Sequence, residues 1–151
     1  MINNLKERAG LESNKKAENA FHKLQNLITA LNKKEIPADQ ADQINEEVRV
    51  VNESTATGKA LTKTINKAYR SILKRAVDQL KLAPKNYYRN LWLAVGMTAF
   101  GIPFGVIFSV ALDSFAFLAI GLPIGLAIGI AIGDNLDKKA AEENRQLDLS
   151  V

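Results

Sequence analysis

Apolar residues recur through the first half of the chain at alternating gaps of three and four, and toward the C-terminus that alternation gives way to continuous apolar runs. Ala17, Phe21, Leu24, Ile28 and Leu31 form one series, Ala41, Ile44, Val48, Val51 and Thr55 a second, and Leu61, Ile65, Ala68, Ile72, Ala76 and Leu80 a third. Such spacing places each series along one stripe of a helix, as in coiled coils and bundles. "NKKEIP" ends the first helix, with Pro37 suited to the first turn of the next, and "STATG" at residues 54–58 marks a break. The short first connection predicts an antiparallel helical hairpin that buries one seam against the other.

From Leu91 to Gly133 the only charged side chain is Asp113. Residues 91–112 contain 22 uncharged residues and residues 115–133 contain 19. As helices they would rise about 33 Å and about 28 Å, against a hydrocarbon core of about 30 Å. Only Asp113 and Ser114 join them, so a transmembrane hairpin with its turn at 113–114 is expected. A buried hairpin in a soluble protein is the competing reading, and it requires amphipathic helices to cover the hairpin on all sides. The expected organisation is all-α: a cytoplasmic helical hairpin or coiled coil over residues 1–83, a juxtamembrane linker at 84–90, the transmembrane hairpin at 91–133 and a cytoplasmic tail at 134–151.

One device appears in both spans, "GIPFG" at 101–105 and "GLPIG" at 121–125. A turn at 113–114 sets Pro103 level with Pro123, Gly101 near Gly125 and Gly105 near Gly121, so the hairpin reads as a small inverted repeat. Gly121, Gly125, Gly129 and Gly133 recur every four residues, and Gly101, Gly105 and Ser109 do likewise. Each helix then carries a groove without side chains, suited to close contact within the hairpin and between protomers. Pro103 and Pro123 free the carbonyls of Ala99 and Ala119 at mid-depth. Freed carbonyls can line a transport path, but no ionisable residue accompanies them, which favours a kink that shapes the groove.

Charge gives orientation. Residues 1–58 carry 8 basic and 9 acidic side chains, residues 59–90 carry 9 and 1, and residues 91–151 carry 3 and 6. Lys81, Lys85 and Arg89 precede the first span and Lys138 and Lys139 follow the second, so both termini are expected in the cytoplasm. Lys85, Tyr87, Tyr88, Arg89 and Trp92 are the candidate interface anchors. Lys63, Lys67, Arg70, Lys74 and Lys81 follow helical spacing beside the third apolar stripe, and Lys59 extends the series. They suit anionic lipid headgroups, or else a solvated face paired with Asp39, Asp42, Glu46 and Glu47. Nucleic acid is a poorer partner, because no recognition motif or alternating aromatic residue accompanies the charge.

Little chemistry is visible. With no cysteine there is no disulfide framework or thiolate metal site. The opening segment lacks the apolar run of a secretory signal. "GKALTKT" from Gly58 is no phosphate loop, since Glu53 replaces the first glycine and Ala60 the hydroxyl residue. His22 has no partner histidine. Asp134, Asp137, Glu142 and Glu143 could bind a cation or ring a pore mouth, but a solvated helix end beside Lys138 and Lys139 is the simpler expectation. No catalytic residue, metal or cofactor is expected, and no enzyme.

Two stretches carry a resemblance, "GLPIGLAIGIAIGDNLDKKAAEENRQLDLSV" and the preceding "PKNYYRNLWLAVGMTAFGIPFG". They resemble a group of small bacterial membrane proteins described by their glycine-zipper hairpin. The resemblance spans residues 84–149 and implies a bacterial inner-membrane location and this hairpin, with no activity to carry over. The expected function is a non-enzymatic membrane protein that self-associates through its glycine faces and presents its cytoplasmic helices to itself or to a protein partner. An oligomeric channel or holin-like pore-former is the alternative. Against a wide aqueous pore, neither span has a polar stripe beyond Thr98 and Ser109.

Overall fold

The computed structural model describes residues 1–8, 11 and 14–150 and is all-α apart from two short strands. Its elements are α1 (Lys15–Asn32), α2 (Ala38–Glu53), α3 (Gly58–Asp78), β1 (Ala83–Lys85), α4 (Tyr87–Ala111), α5 (Phe115–Glu142) and β2 (Gln146–Ser150). They form two units, residues 1–82 and 83–151.

In the first unit each helix begins where local chemistry favours it. The Asn14 side chain accepts from the amides of Lys16 and Ala17 at 3.2 and 3.3 Å, supplying partners that the first turn of α1 lacks. Pro37 caps α2 rather than entering its first turn, and the α2 helix starts at Ala38. Gly58 opens α3 at φ +56, a left-handed backbone that a side chain would strain.

The three apolar series meet in this unit's core. Leu24, Ile28, Leu31, Ile44, Val48, Ile65 and Ile72 are each no more than 2% exposed. Each such side chain contributes about 1.5–3 kcal/mol on burial. α3 packs against both α1 and α2, which approach each other far less closely, so the two expected seams are buried mainly through α3 in a three-helix unit. Two expected seam positions fall outside it. Thr55 is exposed beyond the end of α2, and Leu80 lies past α3 and is only partly covered, while Val77 and Leu82 are buried instead. The helix ends first, at Glu53 and at Asp78, so neither position inherits the stripe.

The second unit is built on α4 and α5, 25 and 28 residues long and apolar enough to cross a membrane. They pack along their length, joined by Leu112, Asp113 and Ser114. Both helices outrun the apolar runs of the sequence, starting at Tyr87 and ending at Glu142. The open end of the hairpin is tied by strands where a linker and a tail were expected: β1 and β2 pair in parallel, Ala83 with Gln146 and Pro84 with Leu147. Ala83 and Leu147 are fully buried, and Lys85 pairs with Asp148 at 3.1 Å.

Candidate functional site

The helix contact of the second unit is made almost wholly of backbone. A Cβ built on Gly125 would lie 2.6 Å from the Gly101 Cα, and one on Gly121 would lie 2.6 Å from the Gly105 Cα. One on Gly133 would lie 2.5 Å from the Arg89 Cα, and Gly129 sits against the Trp92 carbonyl. Gly101 therefore lies against Gly125 and Gly105 against Gly121, the pairing that a turn at 113–114 implies. Ser109 is buried on the same face of α4. With no side chains between them the two backbones reach van der Waals contact, which drives association where lipid removes the hydrophobic force.

Gly96 also belongs to this contact, and the fourfold spacing misses it. It faces Gly125 and Gly129, although five residues separate it from Gly101. In a straight α-helix a gap of five turns the second position about 140° from the first. Here Met97–Gly101 forms a π-helical turn, in which the Ile102 amide donates to the Met97 carbonyl. The wider turn returns Gly96 to the face of Gly101. Its sequence signal is Pro103, which has no amide to continue the ordinary ladder.

The two prolines are consequently treated differently. Pro103 follows the π turn, whereas Pro123 stands inside continuous α-helix in α5. The motif is repeated in sequence and set antiparallel by the hairpin, but only one of its copies carries the widened turn.

On α5 the fourfold series Gly121, Gly125, Gly129, Gly133 continues to Asp137, which is 7% exposed. Its carboxylate accepts from the amides of Tyr88 and Arg89 at 3.2 and 2.9 Å. These are orphan donors in the first turn of α4, whose preceding residue Asn86 makes no side-chain cap. The expected solvated carboxylate cluster is thus corrected at Asp137, which is buried as the cap of a neighbouring helix. The other carboxylates lie around it: Asp134 pairs with Arg89 at 3.5 Å, and Glu143 pairs with Lys139 at 4.0 Å and with Arg145. Among the described residues no group of three or more could hold a metal ion.

The interface candidates cluster at this capped end. Tyr87 and Tyr88 stack edge to face at 5.4 Å, with Lys85 and Arg89 in the ion pairs already given. Trp92 is partly covered, one turn further along α4. The outer surface of the hairpin is apolar: Ile102 is 55%, Val110 77% and Phe115 89% exposed. Thr98, exposed on α4, shares its hydroxyl proton between the carbonyls of Ala94 and Val95 at 3.1 Å each.

On α3 of the first unit, Lys59, Lys63, Lys67, Arg70 and Lys74 are all exposed and none makes an ion pair among the described residues. Lys81 is exposed beyond the helix end and donates to the Asp78 carbonyl at 2.8 Å. The acidic side of α2 turns to other groups. Glu47 accepts from Ser71 at 2.7 Å, and Glu46 and Glu53 hold Arg49 at 2.6 and 2.8 Å. Arg49 keeps the Glu46 carboxyl below its ordinary range. Comparison with family models, curated proteins and solved structures finds no match to this chain, so its functional reading rests on these residues and their geometry.

Proposed function

We propose that the chain is a non-enzymatic integral membrane protein in which the α4–α5 hairpin is the anchor and the three-helix unit is a cytoplasmic scaffold or adaptor. In this reading it resides in a bacterial inner membrane with both termini in the cytoplasm, as the glycine-zipper resemblance implies. The observation that carries the proposal is the division of the hairpin surface. Its glycines face inward, backbone to backbone, while Ile102, Val106, Ile107, Val110, Leu118, Ile120 and Leu122 face outward. Contiguous exposed apolar area of that kind suits lipid and burdens a soluble protein.

Self-association is part of the proposal, with a changed emphasis. Each hairpin glycine faces the other helix of the same chain, so glycine contacts between copies would require hairpins to exchange helices. Copies meeting through the N-terminal unit need no such opening. The unpaired stripe from Lys59 to Lys74 supports contact with anionic headgroups, each basic residue near such a surface adding about 1 kcal/mol of attraction. A pore reading has less support, because Ser109 is buried in the helix contact and Thr98 bonds its own helix.

Alkaline carbonate extraction of cells expressing the full chain tests the anchor. The protein should remain in the membrane pellet and leave it only with detergent. Release into the wash would overturn the reading.

A further inference from the structure

Residues 1–8 lie across α1 and α2, held by three asparagines that each grip main chain at two points. Asn32 accepts from the Ile2 amide at 2.9 Å and donates to the Ile2 carbonyl at 3.0 Å. Asn45 accepts from the Asn3 amide at 2.6 Å and donates to the Met1 carbonyl at 3.3 Å. Asn52 accepts from the Lys6 amide at 2.9 Å and donates to the Asn4 carbonyl at 3.2 Å. Beyond them the Arg8 guanidinium donates to the carbonyls of Val51 and Asn52 at 2.9 and 3.3 Å, and to that of Ser54. Those carbonyls lie at and just beyond the end of α2, where the Val51 carbonyl also accepts from the Ser54 amide at 3.4 Å.

This is how a groove reads a peptide. The amide bonds fix a main-chain path without regard to side chains, and selectivity comes from a few pockets. Here the pockets hold Ile2 and Leu5, which are 3% and 8% exposed, and the arginine six residues after Ile2 caps α2. Charge fits as well. The segment carries Lys6 and Arg8 against Glu7, whereas α2 carries Asp39, Asp42, Glu46, Glu47 and Glu53 against Arg49. None of these contacts depends on which chain supplies the segment.

We propose that the α1–α2 groove accepts residues 1–8 of a second copy, so that neighbouring chains join by exchanging N-terminal segments. The peptide whose main chain, apolar pair and arginine all match the groove is this chain's own. The inference rests on the self-association proposed above and names its contact. The chain's own tethered segment competes for the groove at high local concentration, so exchange depends on copies crowded in one membrane.

The chain has no cysteine, so Lys6→Cys in one full-length copy and Arg49→Cys in another supply the only thiols, both lining the groove. The two copies are reconstituted together in vesicles and treated with a short bis-maleimide. Exchange gives a covalent pair of twice the chain mass in the mixture and in neither copy alone. Adding Asn45→Ala and Asn52→Ala to the Arg49→Cys copy should lower the yield about fivefold or more, each lost amide bond weakening the grip. If a single chain bearing both cysteines cross-links internally while the mixture gives no pair, exchange is overturned. Native mass of the same protein in nanodiscs separates the two claims. An assembly without cross-links removes exchange and leaves the scaffold standing, whereas a single-chain mass without cross-links removes exchange and self-association together.

Discussion

The Asp137 carboxylate receives the Arg89 amide at 2.9 Å, so the last turns of α5 cap the first turn of α4. Asp137→Ala leaves two amides at the start of α4 without their partner and should cost about 1–3 kcal/mol. Asp134→Ala should cost much less, since its pair with Arg89 is half exposed on both sides. Unfolding of both variants in mixed micelles, followed by circular dichroism, checks the order.

Glycine substitutions in the hairpin should rank by what the new Cβ meets. Gly125→Ala places it 2.6 Å from the Gly101 Cα, whereas Gly101→Ala places it 3.1 Å from the Gly121 carbonyl oxygen. The first forces the backbones apart at about 1–3 kcal/mol or more, and the second asks for a few tenths of an ångström. The same micelle assay should find Gly125→Ala clearly less stable than Gly101→Ala, and equal losses would contradict backbone contact at Gly125.

In the three-helix unit, Ile44→Ala removes a side chain with no solvent exposure and should cost about 2–5 kcal/mol. Thr55→Ala lies outside the helix and should leave the thermal melt unchanged within error.

Burial pushes the Tyr69 phenol above its ordinary range, so the folded unit favours the neutral form. This contribution is fully present below the pKa of an unfolded tyrosine, about 10, and is lost as pH rises through the folded value. Tyr69→Phe should therefore lose less stability than the parent between about pH 9 and pH 11. Parallel melts at the two pH values measure the difference.

Periodicity was enough to find the buried stripes of all three N-terminal helices, because a seam records only which side of a helix is covered. It did not show that α3 closes on both α1 and α2, which depends on contacts between distant segments. The glycine faces were readable wherever the gap was four, from Gly121 to Gly133. Gly96 escaped because its place depends on the π turn, and fixed spacing assumes a uniform helix. Asp137 escaped for a related reason. In sequence it is one carboxylate among several at a polar helix end, and only the approach of α4 turns it into a cap. The asparagines at 32, 45 and 52 have no regular spacing at all; a shared extended segment is what unites them.

The π turn at Met97–Gly101 holds one residue more than an α-helix needs to keep its register. Winding the same residues as plain α-helix would swing Arg89, Trp92 and Gly96 about 100° around the axis while Gly105 stayed in place, and half of the hairpin would meet α5 with bulky side chains. Removing one residue there would instead set Gly96 four positions before the next glycine and keep both on one face, so the fit of the hairpin depends on how this turn is wound and survives its loss by deletion.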